Sequence, residues 1–280
     1  MPPVYMRKNP SMQALLGDMN RFYRVEGRRH LPWRRTFNPY RILVSEIMLQ
    51  QTQVSRVIPF YIKFIKKFGT VQKLADATLK DVLKSWSGLG YNRRAKFLHE
   101  AAKKIIKEYG GKFPRAVETI ETLPGVGKYT ARAIAAFAYN KREVFIETNI
   151  RTAFLHYVFL QKPKMVSDAE ILPLVEKALK KSKMQPRDFY AALMDYGSYL
   201  KSEGVRLNKK SKDYIKQKKF EGSPRQLRGT IIRELLKGPA TLSKLTKNTN
   251  RSKGEAARVM ERLVHEGLVG LRKDLYSLDG

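Results

Sequence analysis

The chain has 280 residues with 56 Lys plus Arg against 25 Asp plus Glu, a formal charge of +31 spread along its whole length, so a polyanion is the natural partner, DNA or RNA ahead of an anionic membrane. It contains no cysteine and only four scattered histidines, which excludes disulfides, thiolate chemistry and cysteine-ligated zinc or iron–sulfur clusters and leaves no metal site to expect. No run reaches the roughly 18 apolar residues of a membrane span, and Met1-Pro2-Pro3-Val4 lacks the apolar core of a signal peptide, so an intracellular, cytoplasmic and nucleoid-associated protein without membrane contact is expected.

Apolar residues recur at helical spacing over 10–26, 39–51, 54–68, 70–76, 79–87, 92–109, 115–121, 128–139, 147–160, 168–182 and 186–200. Pro or Gly breaks the pattern at Pro32, Pro39, Gly69, Gly88, Gly110, Pro114, Pro124, Pro163 and Pro186. The spacing therefore predicts a mainly α body. From Lys201 to Arg228 ten basic residues stand against three acidic ones with little apolar period, which reads as a basic connector, with 206–224 as its linker. The remainder, 225–280, reads as a separate unit. A helix from Arg225 to Leu236 stops at Gly238-Pro239, a short one begins at Thr241, and Ser252 caps a third to about His265. Two β-like runs, 267–272 and 275–278, follow around Lys273-Asp274. Three helices and a hairpin in this order resemble a winged helix-turn-helix, whose third helix carries Arg251, Lys253, Arg258 and Arg262 as candidate DNA contacts.

Within the helical body, Leu123-Pro124-Gly125-Val126-Gly127-Lys128-Tyr129-Thr130 reads as a glycine hairpin opening a helix, which turns backbone N–H groups toward an anion. Gly125, Val126, Gly127, Lys128 and Thr130 are the candidate phosphate-binding residues. Taken with Leu31-Pro32-Trp33-Arg34, Pro39-Tyr40, the run from Ser45 to Val54 (SEIMLQQTQV) and Trp86-Ser87-Gly88-Leu89-Gly90-Tyr91, this hairpin resembles the helix-hairpin-helix base-excision DNA glycosylase superfamily, closest to adenine DNA glycosylases of the MutY type. The resemblance covers about residues 10–200. It implies a two-lobed helix-hairpin-helix glycosylase domain over 1–205, with a six-helix lobe at about 38–150 and a second lobe from 8–37 and 151–205, and DNA bound across the cleft.

The chemistry so implied is hydrolysis of an N-glycosidic bond on a nucleotide extruded from the stack. Glu46 maps onto the general acid, and its neighbours Ile42, Val44, Met48 and Leu49 are apolar, the setting that raises a carboxyl pKa. Gln50 and Gln51 map onto glutamines that wedge beside the flipped base or line its pocket. Trp33, Arg34 and Tyr40 are candidates for the pocket or its rim, and the turn with Leu89 and Tyr91 for the opposite strand. The family places an Asp where Phe145-Ile146-Glu147-Thr148-Asn149-Ile150 stands here. Glu147 keeps the charge but moves it on the order of 1.5 Å, a large shift for positioned catalysis. Three outcomes stay open: Glu147 and Asn149 serve in catalysis after a backbone adjustment, the substrate differs, or the protein binds damage without cutting. Tyr129 occupies the position where bifunctional members carry a Schiff-base lysine; a phenol cannot form one, so monofunctional hydrolysis without strong lyase activity is implied.

Most members close this domain with four cysteines around an iron–sulfur cluster, and the stretch from Met194 to Lys201 and beyond has none. The only cofactor left to consider is a monovalent cation at the hairpin. The 225–280 segment also stands where the resembled enzymes carry a Nudix-like domain that recognises 8-oxoguanine. The expected activity is excision of adenine opposite 8-oxoguanine or guanine by a monomer acting on double-stranded DNA with a mispair or lesion. The alternatives are a thymine/uracil mismatch glycosylase and a non-catalytic DNA-binding protein derived from a glycosylase.

Overall fold

The structure, a computed structural model, describes residues 10–161, 165–214, 219–247, 249 and 251–278. Residues 8–9 and 162–164 of the expected second lobe and 215–218 of the connector lie outside the described residues. In chain order the helices are α1 (Met12–Glu26), α2 (Pro39–Leu49), α3 (Val54–Lys67), α4 (Val71–Ala75), α5 (Leu79–Trp86), α6 (Arg93–Tyr109), α7 (Val117–Glu121), α8 (Lys128–Tyr139), α9 (Thr148–Tyr157), α10 (Asp168–Ser182), α11 (Pro186–Ser202), α12 (Pro224–Lys237), α13 (Leu242–Lys247) and α14 (Lys253–His265). A hairpin of β1 (Gly270–Arg272) and β2 (Leu275–Ser277) follows, and single turns of 3-10 helix occupy Pro32–Arg35 and Asn208–Lys210.

Contacts gather the described residues into two compact units. One holds those within 1–42, 115–121 and 127–216, the other those within 43–114, 122–126 and 217–280. This division differs from the expected lobes and linker. The segments 115–121 and 127–150 join the terminal segments, because α11 packs on α9 and α8 as well as on α1. The C-terminal helices, in turn, group with 43–114.

The first unit is organised around α11, which buries Phe189, Tyr190, Leu193, Tyr196, Gly197 and Leu200 at three- and four-residue spacing. Gly197 is required there, since a Cβ would lie 2.1 Å from the Asn149 carbonyl oxygen at the start of α9. α8 presents mostly alanine to its neighbours and ends on Asn140 in the left-handed region (φ 52°), whose Oδ1 accepts the Arg187 amide at the start of α11. The Tyr157 hydroxyl donates to buried Asp18 Oδ2 at 2.7 Å and lies 2.5 Å from the Tyr196 hydroxyl, and burial pushes both phenol pKa values up. α11 runs to Ser202, so Lys201 is a helical residue and not the start of the connector.

The second unit centres on α6, which buries Ala95, Leu98, Ala101, Ala102 and Ile105 against α4 and α5. Trp86, at the end of α5, is fully buried and donates from Nε1 to the Gly90 carbonyl at 3.0 Å. The C-terminal helices follow the predicted order. Ser252 caps α14 by accepting from Glu255 N at 3.2 Å in a capping box, and Lys273 and Asp274 take positive φ (45° and 64°) in the two-residue turn of the hairpin. These helices are fastened to the α5–α6 region: Lys96 Nζ donates to the Glu266 carbonyl, Arg225 donates to the Tyr91 hydroxyl, and Arg228 pairs with Glu266. Their grouping with 43–114 follows from those bonds.

Candidate active site

The hairpin turns as its glycines dictate. Val126 N bonds to Leu123 O at 3.0 Å, and Gly125 has φ 76° with the Phe97 side chain so close that a Cβ would meet it at 2.7 Å. Gly127 then stands in extended backbone as the N-cap of α8 and contributes no side-chain cap. Gly127 and Lys128 are exposed, whereas the Val126 and Thr130 side chains are buried, so those two positions offer backbone and not side chain to an anion. Tyr129, half-buried, sets its ring edge-on to Phe145 at 5.6 Å, and Phe145 stacks on Tyr190 at 3.8 Å. The aromatic column ties the α8 start to the irregular segment that leads into Glu147.

Glu147 is the N-cap of α9. Its Oε1 accepts from Asn149 N at 2.8 Å and Ile150 N at 2.9 Å, and its Oε2 accepts from Asn149 Nδ2 at 3.2 Å. Residue 147 has the extended backbone usual for an N-cap (φ −134°, ψ 179°), and its carboxylate occupies the place of an ordinary capping oxygen. Desolvation raises the Glu147 pKa above its usual 4.5, against the two amides and the charges of Lys201 and Arg151, which favour the ionised form. Asn149 is in turn held by Lys201, whose Nζ donates to its Oδ1 at 2.8 Å.

Glu46 lies inside α2, 8% exposed, among buried Ile42, Leu43, Val44, Ile47 and Met48. α2 ends at Leu49, two residues short of the predicted helix, so Gln50 and Gln51 stand in the following turn, with Gln51 at φ 54°. The cause is Arg94. Its Nη1 donates to the carbonyls of Ile47, Met48 and Gln50 at 3.0, 2.8 and 2.5 Å, and its Nη2 to Thr52 Oγ1 and Gly90 O. Burial pushes the Arg94 pKa down to about 10, which still leaves it charged. One guanidinium thus closes α2 and pins the 88–91 turn, a role that no periodicity could disclose. Gln50 Nε2 lies 3.5 Å from Gly125 O. In the 88–91 turn Leu89 is buried, and Tyr91, at φ 52°, carries the Arg94 and Arg225 guanidinium groups at 5.1 and 5.2 Å from its ring centre.

Of the expected pocket residues, Trp33 and Tyr40 are buried, and Arg34 reaches Asp195 at 3.4 Å while its Nη1 is buried without a partner among the described residues. Asp195 also accepts from the Arg28 amide and Nε, both at 2.9 Å. On α14, Lys253, Arg258 and Arg262 are exposed, but Arg251 precedes the N-cap Ser252, so it lies outside the helix, and is turned toward the Gly222 carbonyl and Glu255. Arg251, Arg258 and Arg262 line a cavity of about 170 Å³ with Ser223, Pro224 and Leu227. A four-cysteine cluster cannot be held by a chain without cysteine, and among the described residues no group of three or more His, Asp or Glu converges on a point. No described helix is long and apolar enough to cross a membrane.

The sequence matches the HhH-GPD superfamily of base excision DNA repair proteins across residues 44–189. It is 35% identical over 263 residues to the adenine DNA glycosylase of Mycolicibacterium smegmatis, covering 86% of this chain and 88% of that protein. With the adenine DNA glycosylase of Buchnera aphidicola it shares 36% identity over 208 residues, 71% of this chain but 58% of that protein. The fold is similar to a thermostable thymine-DNA glycosylase (TM-score 0.59, 29% identity, 72% of this chain and 96% of that one). It also resembles endonuclease III trapped on DNA (TM-score 0.54, 19% identity, 67% of this chain and 85% of that one), a likeness of fold alone.

Proposed function

This chain belongs to the HhH-GPD superfamily of base excision DNA repair proteins, and from that premise we propose that it is a monofunctional DNA glycosylase releasing adenine opposite 8-oxoguanine or guanine in double-stranded DNA. Glu46 is the general acid: it protonates the departing purine as the C1′–N bond breaks and its electron pair passes to the base. Glu147 supplies the fixed negative charge for the oxocarbenium-like sugar and takes the proton of the water that adds to C1′. Tyr129 in place of an amine leaves water as the nucleophile, so the product is an abasic site on an unbroken strand. The α8 N-terminus, with Gly125, Gly127 and Lys128, receives a backbone phosphate. The hairpin carbonyls are where a monovalent cation would be held. Lys253, Arg258 and Arg262 on α14 add electrostatic grip to the duplex, and the protein acts as an intracellular monomer.

The observation that best supports this reading is the capping of α9 by Glu147: two backbone amides and an amide side chain fix the carboxylate despite its added length. A second reading, excision of thymine or uracil opposite guanine, is favoured by the similarity to the thymine-DNA glycosylase over nearly all of that chain. Labelled duplexes carrying A:8-oxoguanine, A:G, T:G and U:G pairs, incubated with the protein and then treated with alkali, separate the two. We expect breaks at adenine only, and only after alkali. Breaks confined to T:G and U:G would replace the first reading with the second, and breaks before alkali would contradict monofunctional hydrolysis.

A further inference from the structure

We propose that Lys201 is a positioning residue for the Glu147 carboxylate, acting through Asn149. Gly197 lets α11 approach the Asn149 backbone so closely that any side chain would collide with it. Lys201, four residues on, lies on the same face one turn later. Its ammonium therefore arrives at the Asn149 amide and donates to Oδ1 at 2.8 Å. An amide oxygen engaged in this way turns its nitrogen the other way, and Asn149 Nδ2 donates to Glu147 Oε2 at 3.2 Å. A chain of charge and dipole runs from ammonium to amide to carboxylate, with each link holding the next in orientation.

The neighbouring charges show why Lys201 matters more than the other cation close by. Arg151, on α9, already donates from Nε and Nη2 to Asp168, both at 2.6 Å, and the charges of Asp168 and Asp213 favour its own. Lys201 has no carboxylate bonded to it among the described residues; Glu147 favours its charge while Arg151 and Arg206 oppose it, and desolvation lowers its pKa. Of the two cations it is the one whose field is not matched by a bonded carboxylate. It thus compensates the desolvation that otherwise pulls Glu147 toward its protonated form. The added methylene of Glu147 makes such a holder more necessary, because a longer side chain has one more rotatable bond to fix.

This inference rests on the catalytic reading of Glu147, so its test includes a readout that needs no DNA. The Glu147 carboxyl is titrated by carbon-13 NMR in the parent, Lys201→Met, Lys201→Gln and Lys201→Arg proteins. Single-turnover base release is then followed from pH 5 to 9 on whichever duplex the parent cleaves. Lys201→Met should raise the Glu147 midpoint by about 0.5–1 pH unit and move the acid limb of the rate profile up with it, while duplex affinity stays within about twofold. Lys201→Gln, which can still donate to Asn149, should recover orientation but not charge: full rate at high pH, with the limb still displaced. Lys201→Arg should restore both. An unmoved midpoint in Lys201→Met, or a rate lost equally at every pH, overturns the proposal. A moved midpoint with an unmoved rate profile keeps the Lys201–Glu147 coupling and overturns the catalytic reading of Glu147.

Discussion

Two helices of the same unit, α8 and α9, begin only twenty residues apart and solve the same electrostatic problem in opposite ways. A helix start concentrates unbonded amides and about half a positive charge, and it favours an anion. At α9 the chain supplies its own anion, Glu147, bonded to the amides of Asn149 and Ile150. At α8 the cap is Gly127, which brings no side chain and has open space where one would point. In the function proposed, the difference separates two roles: a capped start fixes a charge at one point for chemistry, and an uncapped one accepts a charge from another molecule. Glu46, buried in the last turn of α2, is the third case: in the function proposed, its carboxyl carries a proton rather than a charge.

The largest expected effect isolates that third case. Glu46→Gln should slow base release by about 100-fold or more with duplex binding nearly unchanged, measured in single turnover. A parental rate would remove Glu46 from the mechanism. Next, Gly127→Asp converts the α8 start into a copy of the α9 start. Its backbone (φ −99°) accepts any residue, so the variant should fold and gain a few tenths of a kcal/mol from the cap. DNA affinity should nevertheless fall about tenfold or more at low salt, because a carboxylate then competes with phosphate for the same amides. Unchanged affinity in a gel-shift series would sever α8 from phosphate binding.

A pH series sharpens the comparison without mutation. Since the folded pKa of Glu147 lies above 4.5, its protonated form is the one that folding favours. Its contribution to stability is present below about pH 4.5 and fades as pH rises through the folded midpoint, whereas base release should appear over that same rise. Thermal melts and single-turnover rates across pH 4–8 would expose the opposed trends. The smallest effect belongs to the C-terminal helices. Arg258→Ala with Arg262→Ala should lower affinity for damaged and undamaged duplexes alike and reduce the salt slope by about 1–2, leaving base preference intact. A selective loss of preference would make α14 a reader of bases.

Much of this contrast was legible in the sequence, and the exceptions have a common cause. The bounds of α8 and α10 follow from local punctuation, Pro124 with Gly127 before one and Ser167 before the other, and the C-terminal order from Gly238, Ser252 and Lys273-Asp274. What was missed depends on partners distant in the chain. Gln50 and Gln51 leave the helix because Arg94, more than forty residues on, gathers the last carbonyls of α2. Lys201 read as connector because its charge matched the basic run after it, yet Gly197 and Asn149 set where its ammonium lies. Likewise, nothing in residues 225–280 announces that Arg225 reaches Tyr91 or that Glu266 receives Lys96 and Arg228.

In the function proposed, Glu147, held as a helix cap, performs the work of the shorter Asp that the resembled enzymes carry at this place. Single-turnover base release by the parent, Glu147→Asp and Glu147→Gln proteins on the parent's own substrate tests it most directly. A loss of about 100-fold or more is expected for Glu147→Gln, which keeps size and loses charge, and a rate within about tenfold of the parent for Glu147→Asp, which keeps charge and capping. A Glu147→Gln protein that releases base at the parental rate would contradict it.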